Sequence, residues 1–133
     1  MKEPLWLSPE AVRAFHVRLL ADFGGSEGVR DEGLLESALS KPANLYHYEK
    51  ADLFALAAAY AFGIVKNHPF IDGNKRTGFV AAAVFLDLNG HELIAPETEA
   101  TLKTLALASG AITQAELAGW LKQSTQLRRG RRR

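Results

Sequence analysis

Residues 53–65 constrain this chain more than any other stretch. Leu53, Phe54, Leu56, Ala57, Tyr60, Ala61, Ile64 and Val65 recur at helical spacing yet occupy nearly every side of a helix. A helix that is apolar all round is buried all round, so the rest of the chain has to wrap it. A second apolar pattern, Phe79, Val80, Val84, Phe85 and Leu88, starts near Asn74 and stops at Asn89-Gly90, a pair suited to a helix C-terminus. These two helices form the expected centre of the fold.

The surrounding segments also read as helices. Ser8-Pro9-Glu10 supplies a capping acceptor, a first-turn proline and a first-turn acid, and Val12, Phe15, Leu19, Leu20 and Phe23 continue at helical spacing until Gly24-Gly25. The spacing predicts a helix over about residues 9–22. Asp31 caps a short second helix carrying Leu34, Leu35, Ala38 and Leu39, which is expected to end before Pro42 and leave residues 43–50 as a loop or extended segment. Residues 91–96 form a short connector with some strand character. Residues 97–109 read as a helix ended by Gly110, and Thr113 with Glu116 forms a capping box ahead of Leu117, Trp120 and Leu121. The expected class is all-α, a compact, irregular bundle of about six helices.

At 133 residues with 47% hydrophobic content, the chain fits one domain over residues 1–127. It contains no cysteine, which removes disulfides and thiolate metal sites. No apolar run is long enough to span a membrane, and the first residues lack a basic segment followed by an apolar one, so a soluble, unprocessed, cytoplasmic protein is expected. The formal charge of +1 includes Arg128, Arg129, Arg131, Arg132 and Arg133, so residues 1–127 carry +1 less five, or −4. A mildly acidic body excludes the broad basic face of a nucleic-acid-binding domain; only the tail, residues 128–133, offers such a contact, and arginine-rich ends of this kind are commonly solvated and disordered.

Between the two central helices lies His68-Pro69-Phe70-Ile71-Asp72-Gly73-Asn74-Lys75-Arg76-Thr77. Pro69 ends the preceding helix near His68, placing its imidazole at a helix terminus, where a neutral ring can take a proton from a hydroxyl. Capping or core packing is the ordinary role of a lone histidine, and it is kept for His16, His47 and His91, which lack such polar neighbours. Phe70 points inward and pins the loop. Asp72 is an oxygen ligand of the kind magnesium prefers, and it is also a candidate N-cap for the following helix, two roles that compete for the same oxygens. Gly73 admits close approach to backbone, and with the free N–H groups of the next helix it makes an anion hole to which Asn74, Lys75 and Arg76 add donors and charge. Lys-Arg is usually a solvated surface pair, but at a helix N-terminus two cations oppose the macrodipole unless an anion sits between them. Thr77 and Gly78 are expected to serve helix packing. No P-loop pattern is present, since Gly73-Asn74-Lys75 lacks the earlier glycine and no strand precedes it.

The pattern His68-x-Phe70-x-Asp72-Gly73-Asn74-Lys75-Arg76 resembles the signature of the Fic/Doc family, closest to the death-on-curing (Doc) toxin branch. Gly24-Gly25, the segment from Asp31 to Leu39, and Phe85-Leu86-x-x-Asn89-Gly90 resemble that branch too, so the similarity covers about residues 8–124. It implies the mostly helical Fic fold. Most Fic enzymes transfer AMP to a protein hydroxyl, and their pattern has glycine where this chain has Lys75 and a second arginine where it has Phe79. The Doc branch shares the lysine. It implies a kinase that binds ATP in reverse and moves the terminal phosphate to a threonine of elongation factor Tu, halting translation. Carried over, His68 is the base, Asp72 holds Mg2+, and Gly73, Asn74, Lys75 and Arg76 neutralise the phosphate. The family's target-docking flap is expected at residues 43–50. The self-inhibitory pattern [ST]-x-x-x-E-[GN] does not occur, which implies an antitoxin acting in trans through a helix-forming C-terminal segment. An AMP transferase and a non-catalytic binding module stand as alternatives.

Overall fold

A computed structural model describes residues 2–128. Among these are six helices and two short strands: α1 Pro9–Phe23, α2 Glu32–Glu49, α3 Leu53–Asn67, α4 Asn74–Leu88, β1 His91–Leu93, α5 Glu97–Ser109, α6 Gln114–Gln123 and β2 Thr125–Leu127. The all-α expectation holds. α3 is buried along most of its circumference, with Leu56, Ala57, Tyr60 and Ile64 all inaccessible or nearly so, and it packs against α2, α4, α5 and α6. Glycine permits the close crossings: a Cβ at Gly63 would stand 3.2 Å from the Ala38 carbonyl oxygen of α2, and one at Gly78 of α4 would stand 3.1 Å from that of Ala61 in α3. Gly78 therefore has the packing role its position suggested.

Local chemistry sets most helix ends. Ser8, Asp31 and Asp52 accept from backbone N–H groups three residues on, and Thr113 with Glu116 forms a reciprocal capping box.

The second helix departs from expectation. α2 runs through Pro42 to Glu49, although a proline inside a helix deletes one backbone bond and costs about 3 kcal/mol or more. Burial offsets that cost, because Leu35, Ala38, Pro42 and Tyr46 form one continuous buried stripe, and Tyr46 meets the Trp6 ring edge-on at 5.9 Å. Residues 43–49 are therefore helix, with Lys50 as its left-handed cap, and not a loop or extended segment. The bond from Asn67 Nδ2 to the Leu34 carbonyl, together with the Gly63–Ala38 crossing, shows α2 antiparallel to α3, so residues 43–50 lie at the end of α3 far from His68.

The other unforeseen element is β2, which pairs antiparallel with β1 in the register His91↔Leu127, Glu92↔Gln126 and Leu93↔Thr125. It returns the chain to the end of α4, where the Arg128 N–H bonds the Gly90 carbonyl and its guanidinium stands 3.5 Å from Asp87. The remainder of the arginine tail, residues 129–133, lies outside the described residues.

Candidate active site

His68 closes α3 as its C-cap in the left-handed conformation, with φ 53°, a geometry that costs a non-glycine residue on the order of 1–3 kcal/mol. Its neighbours hold it there. Arg30 donates from Nε to the His68 carbonyl at 2.8 Å and from its terminal amine to the Asn67 carbonyl at 3.0 Å, placing a cation on the negative end of α3. The imidazole is left exposed, with no hydrogen bond to another described residue.

The loop beyond His68 is backed by residues 25–31. Val29 and Phe70 form an isolated antiparallel bridge, the Ile71 N–H bonds the Gly28 carbonyl, and the Arg30 and Asp31 N–H groups both reach the Pro69 carbonyl. This segment, and not residues 43–50, lies beside the motif. It also grips Asp72, whose Oδ2 accepts the Ser26 N–H at 3.2 Å while Oδ1 accepts the Gly73 N–H at 3.0 Å. A Cβ at Gly25 would stand 2.9 Å from Oδ2, so that approach requires glycine.

Asp72 is not the N-cap of α4. Gly73 takes that place with φ 78°, and no side chain caps the helix. α5 also lacks a side-chain cap, but its first turn carries Glu97 and Glu99 in accord with its dipole, whereas α4 has no acid there and presents Lys75 and Arg76. The structure thus keeps the local conflict expected of an anion site. Asn74 behaves differently from expectation: it is 4% exposed, its Oδ1 accepts the Phe70 N–H at 3.0 Å and its Nδ2 donates to the Phe70 carbonyl at 2.9 Å. Its amide chiefly holds the loop in shape.

Phe70 is fully buried, as expected for the residue that pins the loop. Thr77 is likewise buried, and its hydroxyl finds no hydrogen-bond partner.

The pieces converge on a cleft of about 330 Å³ lined by His68, Asp72, Gly73, Asn74, Lys75 and Arg76, with Val65 and Ala108 behind. All six residues singled out in the sequence meet there. Among the described residues no three His, Cys, Asp or Glu side chains gather as a metal cluster. Asp72 nonetheless fits a magnesium site of the substrate-assisted kind, since each carboxylate oxygen keeps a lone pair beyond its backbone bond and such sites take one or two carboxylates plus phosphate oxygens.

A larger groove of about 510 Å³ adjoins this cleft at Lys75 and Arg76 but contains neither His68 nor Asp72. Leu19, Phe23, Phe79, Val80, Thr104 and Leu105 make it largely apolar. Phe23 lies under Arg76, its ring centroid 4.1 Å from the guanidinium carbon. Sequence reasoning took Phe23 for an ordinary apolar position, and it is 55% exposed.

His16 has the core placement expected of it, but its contact with the motif loop was not foreseen. It is 3% exposed, its ring stacks on Phe70 at 3.9 Å with 11° between planes, and its Nε2 lies 2.8 Å from the Asp72 carbonyl oxygen. The signal was available: His16 falls four residues after Val12 and four before Leu20, on the inward face, where a polar side chain has to have a partner. His47 and His91 take ordinary places, His47 near Glu3 at 3.9 Å and His91 edge-on to Phe54.

Residues 6–86 match the family model described as the Fic/DOC family. The chain belongs to the Fic/Doc family. Within it, the chain is 32% identical over 118 residues to the protein kinase doc of Escherichia phage P1, covering 88% of this chain and 93% of that one. It is 44% identical over 75 residues to the toxin Doc of Mycolicibacterium smegmatis, covering 55% of this chain and 58% of that one. The chain is a Doc-type member, and its six helices are the Fic fold. No described helix is long and apolar enough to cross a membrane.

Proposed function

We propose that this chain is a Doc-type toxin that transfers the γ-phosphate of ATP to a protein hydroxyl, the target being a threonine of elongation factor Tu. The observation that carries the reading is the single cleft in which an exposed imidazole, a backbone-held carboxylate and an uncapped helix N-terminus bearing Lys75 and Arg76 meet. The similarity to a relative named as a protein kinase supports it.

In this reading His68 accepts the proton of the attacking threonine hydroxyl, with its backbone held at the cleft by the left-handed cap and by Arg30. The α4 N–H groups, Lys75 and Arg76 face the phosphate with fixed positive charge, which is where phosphoryl transfer gains most of its rate. Asp72 would hold Mg2+, which when bound neutralises and aligns phosphate oxygens. The Lys75 side chain fills space that glycine leaves open in the AMP-transferring pattern, and Phe79 supplies no clamp for a terminal phosphate. Both features favour moving a phosphate over moving a nucleotide.

The neighbouring apolar groove suits the helical C-terminal segment of an antitoxin, which would cover Lys75 and Arg76 as it docked. Such a toxin works in the cytoplasm, where its target and nucleotide are. The test is mass spectrometry of elongation factor Tu after incubation with the protein, ATP and Mg2+: a phosphothreonine is expected with the native chain and none with His68→Ala. An AMP adduct would establish nucleotide transfer instead.

A further inference from the structure

We propose that His16 is a positioning residue, whose buried imidazole locks the Asp72–Gly73 peptide and through it the Asp72 carboxylate. This rests on the cleft being a phosphate-transfer site, and it assigns a role to a residue lying more than fifty positions upstream of the motif.

A carbonyl oxygen can only accept, so the 2.8 Å contact makes His16 Nε2 the donor to the Asp72 carbonyl. In a trans peptide the carbonyl and the following N–H point in opposite directions. Holding the Asp72 carbonyl against α1 therefore aims the Gly73 N–H away from α1, where it meets Asp72 Oδ1 at 3.0 Å. The lock is needed because Gly73 sits at φ 78°, in a region open to glycine on both sides, so the preceding peptide has little intrinsic barrier to turning over. A flip would break the bond that fixes the carboxylate and turn a carbonyl oxygen toward the cleft, against the phosphate.

The imidazole is itself held. It is 3% exposed and stacked at 3.9 Å on Phe70, whose backbone is clamped by Asn74. Its Cδ2 would lie 3.6 Å from a Cβ at Gly73, so the ring sits directly beneath the turn. A histidine merely filling core volume needs neither the donor geometry nor that placement.

Two substitutions separate the roles. His16→Gln carries an amide donor where Nε2 stood, while His16→Phe keeps the stack and loses the donor. Removing a group that orients a metal ligand typically costs 10- to 100-fold. His16→Phe is expected to lower kcat for ATP-dependent transfer by roughly that factor, with the KM for ATP changing much less, and His16→Gln to restore most of the rate. In parallel, 15N relaxation dispersion should show microsecond-to-millisecond exchange at the Asp72 and Gly73 amides of His16→Phe that is absent from the native chain and from His16→Gln. Native turnover in His16→Phe, equal losses in both variants, or quiet amides in His16→Phe would overturn the proposal. If the native chain transfers nothing, the functional reading fails and the relaxation measurement alone decides the lock. If His16→Phe does not fold, His16→Met replaces it: Met impaired with Gln active supports the lock, and Met equal to Gln overturns it.

Discussion

A lysine in the first turn of a helix faces the positive end of the macrodipole, and in α4 an arginine follows it with no acid in that first turn to relieve either. Such an arrangement is stabilised when an anion binds, and that is the ground for placing Lys75 and Arg76 in the proposed phosphate site. Lys75→Gly should lower phosphoryl transfer more than tenfold by removing a charge from the phosphate position. Unchanged turnover, measured with ATP in excess, would place Lys75 on the solvated surface. Arg76 depends on a further residue, since its guanidinium carbon stands over the Phe23 ring, 4.1 Å from the centroid. A cation–π contact at an exposed site contributes about 0.5–1 kcal/mol, so Phe23→Leu should lower kcat/KM by roughly two- to fivefold. A larger loss would show Phe23 in contact with substrate. The pairing of Arg13 with Glu32 at 2.6 Å, which draws the glutamate carboxyl below its ordinary range, joins exposed surface groups of α1 and α2 and is remote from this chemistry.

At the scale of elements, legibility followed from how local each signal was. The ends of α1, α5 and α6 were readable because Ser8, Gly110 and the Thr113–Glu116 box act within a few residues of themselves. The C-terminal half of α2 was missed because Pro42 argues locally for a stop, while the stripe from Leu35 to Tyr46 that overrides it has value only once α3 is beside it. β2 was missed because three residues hold no period, and its partner β1 lies more than thirty residues away. The motif loop was placed correctly, yet the residues that shape it, His16, Gly25 and Arg30, lie on other elements and are tied to it only by the fold. Thr77 provides a test at this scale. Its buried hydroxyl is unpaired, an arrangement that costs about 1–3 kcal/mol, so Thr77→Val should raise unfolding stability in urea by on the order of 1 kcal/mol. A loss of stability would mean that the hydroxyl makes a hydrogen bond after all.

The molecule is built on a buried helix, α3, packed against α2, α4, α5 and α6, with the polar loop at its C-terminal end and Tyr60 midway along it. The Tyr60 hydroxyl accepts the Leu7 N–H at 3.0 Å, and burial raises the phenol pKa above its ordinary value. The core holds together the pieces that line the cleft: Val65 and His68 at the end of α3, the loop with the start of α4, and Ala108 of α5. The cleft and the apolar groove share Lys75 and Arg76, so a partner seated in the groove would reach these two cations without touching His68. The same base, carboxylate and anion hole would serve transfer of AMP or of phosphate, and only the choice of transferred group separates them. The direct measurement is incubation of the protein and Mg2+ with elongation factor Tu and ATP labelled on either the α or the γ phosphate. Label in the factor from γ-labelled ATP alone, lost with His68→Ala, is the predicted result; label from α-labelled ATP would contradict it.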